Sequence, residues 1–93
     1  MYEGVLRQVR QLIRDRRYVM TLHAEEEMDE DGLTVFDIER GILTGSVVER
    51  QKDRSTGERK YVLKGRTLAG DEVVVVTKLG STGRLVIITV YLV

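Results

Sequence analysis

Thr34-Val35-Phe36-Asp37-Ile38-Glu39-Arg40-Gly41-Ile42-Leu43-Thr44-Gly45 is the stretch on which the fold turns, because the spacing of apolar residues changes character at its end. Thr34 and Asp37 stand three apart, as in a capping box with Asp in place of Glu, where each side chain accepts a hydrogen bond from the other residue's backbone N–H. Val35, Ile38 and Ile42, with Phe36 and Leu43, supply an apolar side. Gly45 reads as a left-handed C-terminal cap, so the pattern predicts a helix over 35–44. Beyond Gly45 the apolar period drops from 3.6 to 2. Residues 47–52, 60–66, 72–79 and 84–92 are β-rich, separated by Ser55-Thr56-Gly57, Ala69-Gly70-Asp71 and Gly80-Ser81-Thr82-Gly83. Three short connections between four strands predict an antiparallel meander. Val73-Val74-Val75-Val76 and Leu85-Val86-Ile87-Ile88 are apolar at successive positions and so should be covered on both faces. Glu49, Arg50, Gln51 and Lys52 are polar throughout, which suits an edge strand.

Working back toward the N-terminus, Tyr2, Val5, Leu6, Val9, Leu12 and Ile13 have the spacing of one helix side and predict a helix over 2–14. Its polar side carries Arg7, Arg10, Arg14 and Arg17 as one stripe, a solvated face or a track for phosphates or an acidic partner. Residues 18–21 read as a short extended link, followed by a second helix over 22–30 that Gly32 ends. The expected fold class is α+β: N-terminal helices packed on one face of a four-stranded antiparallel meander sheet, with the other face left for a partner.

The 93 residues suit a single domain, and 15 basic against 15 acidic side chains give no net attraction to nucleic acid or to an anionic membrane. The charge is uneven, however. Residues 1–20 carry five bases against two acids, +3; residues 21–40 one base against eight acids, −7; residues 41–93 nine bases against five acids, +4. Glu25, Glu26, Glu27, Asp29, Glu30 and Asp31 crowd the second helix, where like charges one turn apart repel. Without cysteine there is no disulfide, thiolate zinc site or thiol nucleophile, which fits a reducing compartment. Arginines run through the first fifteen residues, unlike a signal peptide, and no apolar run nears the roughly 20 residues of a membrane span. The expectation is a cytoplasmic chain with no membrane partner.

His23 is the single histidine and the one side chain whose ordinary pKa lies near neutrality, so proton transfer at physiological pH would use it most economically. Glu26 and Glu27, one turn on, are placed to fix its tautomer. One histidine with carboxylates on a single helix makes no recognised metal spacing, and no glycine-rich loop opens a helix, so neither metal nor cofactor is expected. Ser46, Ser55 and Ser81 lack the context of a nucleophile elbow. In the sheet, Tyr61, Lys64, Arg66, Lys78 and Tyr91 set bases beside aromatic rings. Metal-free RNA cleavage needs a group to deprotonate the 2′-hydroxyl, a cation for the phosphorane and an acid for the leaving 5′-oxygen. Arg66 offers the cation, although strand alternation puts Tyr61 with Leu63 on one face and Lys64 with Arg66 on the other.

His23-Ala24-x-x-x-Met28, Gly32-Leu33, Asp37-Ile38-Glu39, Leu43-Thr44-Gly45 and the closing Ile87-Ile88-Thr89-Val90-Tyr91 together resemble the small bacterial proteins classed as domain of unknown function 4258. The resemblance spans residues 18–92 and leaves 1–17 as an added N-terminal helix on an 18–93 domain. That family looks like a relative of the RelE and BrnT toxins. The likeness implies a RelE-like fold, a ribonuclease of a toxin-antitoxin module with RNA on the open sheet face, and a cognate antitoxin partner of the MqsA zinc-finger kind. Carried onto this chain, the family's histidine falls on His23 and its closing strand motif on Thr89 and Tyr91; together with the bases of the sheet, the expected site is catalytic His23, Arg66 and Tyr91, with Lys64, Lys78 and Arg50 binding RNA and no metal. This chain departs from the family pattern where many members have arginine: Glu27 and Asp31 stand there instead, and carboxylates repel phosphates. The alternative is a non-catalytic protein-interaction domain using its acidic second helix or its open sheet face.

Overall fold

The computed structural model describes residues 2–93. Its elements run α1 (Glu3–Arg14), β1 (Tyr18–Met20), α2 (Leu22–Asp31), α3 (Val35–Thr44), β2 (Ser46–Lys52), β3 (Arg59–Arg66), β4 (Glu72–Leu79) and β5 (Leu85–Leu92). Strands β2 to β5 form the antiparallel meander that the change of period after Gly45 predicts, with β2 at an edge.

A fifth strand corrects the expectation of four. The sheet order is β1-β5-β4-β3-β2, and β1 runs parallel to β5 with Tyr18 opposite Leu85 and Met20 opposite Ile87. The sheet is therefore mixed rather than wholly antiparallel. The cause is the side of β5 that the meander leaves unpaired, which residues 18–20 fill instead of serving as a link. The Leu85 N–H donates to the Arg17 carbonyl and the Thr21 N–H to the Ile87 carbonyl, extending the ladder at both ends. The Tyr18 hydroxyl donates to Glu39 at 2.6 Å and ties β1 to α3. Burial, then that bond and the carboxylate's charge, push the Tyr18 pKa up to about 12.

Thr21 is the N-cap of α2: its hydroxyl accepts from the Ala24 N–H and donates to the Ile88 carbonyl at 3.0 Å. Ile88 lies where the β4–β5 register slips, Val76 facing Thr89 and Thr77 facing Ile87, so a bulge turns that carbonyl toward the start of α2. Gly32, at φ 65, closes α2 in the left-handed conformation. The capping box at Thr34 and Asp37 forms as predicted, and Asp37 also accepts the Leu68 N–H at 3.0 Å from the β3–β4 turn. These bonds, the one from the Thr34 backbone foremost, hold the Asp37 carboxyl below its ordinary pKa.

Gly45 is not a left-handed cap. It is extended, at φ −88, and is required by closeness instead. A Cβ there would lie 2.6 Å from the Gly41 carbonyl oxygen and 2.8 Å from that of Lys64. A Cβ on Gly65 would come within 1.9 Å of the Gly41 oxygen. Helix α3 thus crosses β3 backbone on backbone, at glycines from both elements. The Gly45 carbonyl, left without a helical donor, accepts from Arg10 Nη2 at 2.8 Å. One member of the predicted arginine stripe therefore holds the fold together. The stripe also ends early, because α1 stops at Arg14 and Arg16 turns the chain at φ 55 before Arg17.

Val9 and Ile13 of α1, Ala24 and Met28 of α2, and Ile38 and Ile42 of α3 pack on the sheet face formed by Leu63, Val73, Val75, Leu85, Ile87 and Val90. The helices lie on this one face. Since strand side chains alternate, the opposite face carries the rows Arg66 and Glu72; Lys64, Val74 and Tyr91; Val62, Val76 and Thr89; Lys60, Lys78 and Val86. Among the described residues no helix is long and apolar enough to cross a membrane.

Candidate functional site

β1 covers β5 as far as Ile87, and beyond that point α2 takes its place along the edge. Glu27 accepts the Val90 N–H at 3.0 Å and Asp31 accepts the Leu92 N–H at 3.3 Å. The spacing explains the pair: four residues of helix rise about 6.0 Å, and two residues of strand about 6.6 Å. Every second N–H of the exposed strand edge thereby finds a carboxylate one helical turn further on. A sheet edge left with free N–H groups is an aggregation hazard, and this helix closes it. Glu27 and Asp31 are therefore structural ligands of the strand, and bonding to N–H groups offsets part of their mutual repulsion.

Glu27 also lies beside the histidine. His23 Nε2 lies 3.1 Å from Glu27 Oε1, the oxygen that also accepts from Val90. The His23 side chain is 65% exposed, so its ring is open to solvent, and Thr21 rather than His23 caps the helix. Thr89 and Tyr91 flank Val90 and point to the open face, where Tyr91 is 45% exposed. His23 is thus linked through Glu27 to the Val90 N–H of β5, although the two are far apart in the chain. The fold produces this by laying α2 along β5.

Lys64 shares Tyr91's row across β4, about 10 Å away at two strand spacings. It pairs with Glu72 at 3.3 Å. Arg66, two residues further along β3, is exposed and folds onto the Gly70 carbonyl at 3.2 Å, which separates it from His23. Lys78 lies at the far end of the open face, opposite Lys60 and Val86, and pairs with Glu58 at 2.7 Å. Arg50 faces Tyr61 and so lies on the helix side of the sheet, away from Lys64 and Lys78. His23 lies at the β5 edge through Glu27, Tyr91 and Lys64 share a row on the open face, Lys78 lies at that face's far end, and Arg50 is on the helix side. Between the basic groups runs a strip of valines, with Val62 at 8% and Val74 at 6% exposure under the lysine stems. Among the described residues no three His, Asp or Glu side chains group as a metal-binding set.

The role of Glu27 and of Asp31 as strand ligands is what sequence reasoning missed. Their spacing of four residues against a strand's spacing of two was the available signal. It requires knowing that α2 lies on β5.

A family model described as Domain of unknown function (DUF4258) matches residues 20–92, a span that holds both His23 and the Thr89–Tyr91 strand. The chain belongs to the DUF4258 family. Of its elements, α1 lies outside the matched residues. No curated protein and no solved structure matches the chain.

Proposed function

We propose that this DUF4258 chain is the toxin component of a bacterial toxin-antitoxin module and a metal-independent ribonuclease. The observation that carries the reading is the solvent-open His23 imidazole near the edge of β5, the strand whose Tyr91 shares a row with Lys64. In the reaction, the 2′-oxygen loses its proton to a base and attacks phosphorus. The P–O5′ bond breaks and the 5′-oxygen takes up a proton, leaving a 2′,3′-cyclic phosphate. His23 performs one of the proton transfers, Tyr91 offers a ring for base stacking, and Lys64 and Arg66 contact phosphates. The ion pairs that occupy Lys64 and Lys78 do not oppose this. Exposed pairs are worth about 0 to 1 kcal/mol, so a phosphate displaces the glutamates at little cost. Helices on one face of a sheet with the other face open also suit the RelE-like relationship. A cognate antitoxin would cover that open face, and the cytoplasm is where both would meet RNA.

A second reading rests on a different observation. Lys64 and Lys78 of the open face are already paired with glutamates and a valine strip runs between them, which suits a non-catalytic domain that binds another protein. Expression in bacteria separates the two. Under the ribonuclease reading wild-type chain arrests growth and His23→Ala does not, with its melting temperature unchanged, because loss of an acid or base costs about 10² to 10⁴ in rate. Lys64→Ala weakens the arrest and Arg50→Ala leaves it intact. Absence of arrest by the wild type, with no RNA cleaved, favours the binding domain.

A further inference from the structure

We propose that this chain associates with copies of itself head to tail, the arginine side of α1 in one copy resting on the outward acidic side of α2 in the next. Arg7, Arg10 and Arg14 share one side of α1 and, with Leu6 and Glu3, line a groove of about 350 Å³. Arg10 is committed to the Gly45 carbonyl, so the charges free to meet a neighbour are the exposed Arg7 and Arg14. On α2, Leu22, Glu25, Glu26, Asp29 and Glu30 fall at i, i+3, i+4, i+7 and i+8, one exposed stripe opposite the buried Ala24 and Met28. Glu27 and Asp31 are not part of it, since β5 takes them up. Among the described residues the ion pairs are His23–Glu27, Lys64–Glu72 and Lys78–Glu58, so neither stripe is neutralised within its own chain. The two stripes also match in length: Arg7 to Arg14 spans about 10.5 Å of helix and Glu25 to Glu30 about 7.5 Å. Zero net charge removes the long-range repulsion that would keep copies apart. The stripes belong to different sides of the molecule. Helix α1 meets the start of the edge strand β2 at Gly45, whereas α2 lies along β5, three strands away in the sheet. Such a contact is heterologous and leaves each copy a free stripe, so association grows with concentration rather than stopping at an isologous pair.

Exposed ion pairs are individually weak, so several acting together give an affinity of about millimolar. Sedimentation equilibrium of the full chain tests the proposal. At about 1 mM chain and low salt the weight-average mass should be about twice that of the monomer, and it should return to the monomer's at about 1 M salt, where the Debye length is about 3 Å. Arg7→Glu with Arg14→Glu, and separately Glu26→Arg with Glu30→Arg, should each be monomeric at low salt with melting temperatures close to wild type, because all four side chains are exposed. Mixed in equal amounts the two variants should associate again, since the acidic α2 of the first meets the basic α1 of the second. Arg7→Gln with Arg14→Gln gives the same loss if a reversal unfolds the chain. Arg50→Glu with Arg54→Glu changes the net charge as much as the first variant but lies off both stripes, and it should associate like wild type. A monomeric wild type overturns the proposal, and uptake of inorganic polyphosphate by that monomer would assign the arginines to phosphate instead. Association that survives both reversals also overturns it, as do a mixture that stays monomeric and an equal loss in the Arg50 and Arg54 variant.

Discussion

Removal of residues 88–93 is expected to leave a chain that does not fold. These residues pair with β4 from Val76–Thr89 to Val73–Leu92, and they include the fully buried Val90. They also carry the Ile88 carbonyl that receives the Thr21 hydroxyl and the two N–H groups that hold Glu27 and Asp31. Each well-buried apolar side chain contributes about 1.5 to 3 kcal/mol and each backbone hydrogen bond about 1 kcal/mol net. Together these losses exceed the about 5 to 10 kcal/mol that a domain of this length holds in reserve. Because α2 is tied to the sheet through Ile88, Val90 and Leu92, the cut would also release α2 from the edge of β5. The check is circular dichroism and urea unfolding of the truncated chain; a soluble product with a cooperative transition would refute the placement of β5.

The second large effect is at Gly65. An added Cβ would meet the Gly41 carbonyl oxygen at 1.9 Å, the Gly41 carbonyl carbon at 2.8 Å and Gly45 Cα at 3.0 Å. All three are backbone atoms, so no rotamer change relieves the contact and α3 must lift from the sheet. Gly65→Ala should therefore cost about 3 kcal/mol or more, the upper range for overpacked interiors. Gly57 is the comparison: at φ +74 with nothing within 4 Å of a Cβ, its alanine variant should cost only the left-handed penalty of about 1 to 2 kcal/mol. Urea midpoints of the two variants decide the matter. Equal losses would mean that helix and strand do not meet as closely as described.

The two sites differ in how far a sequence discloses them. The three helices and four meander strands follow from periodicity, and observed limits such as Val35–Thr44 and Glu72–Leu79 coincide with those read from the residues. β1 was illegible because three residues show no alternation and its partner lies at the other end of the chain. Gly45 was read as a cap because a glycine after a helix usually is one; that Gly65 faces it from β3 is a tertiary fact. The acids of α2 read as a repulsive cluster for the same reason, since the N–H groups that satisfy Glu27 and Asp31 belong to a strand some sixty residues away. At the candidate site, His23 and Tyr91 were nameable from residue type and family pattern. The placing of Arg50 on the helix side and of Lys78 at the far end of the open face follows from strand register, where one residue's shift moves a side chain to the other face.

Cleavage of a single-stranded RNA by the purified chain in the presence of EDTA tests the central claim most directly. The wild type should release products ending in 2′,3′-cyclic phosphate, and His23→Ala should do so about 10²-fold more slowly or less. An intact RNA with folded wild-type protein, or equal cleavage by His23→Ala, would contradict it.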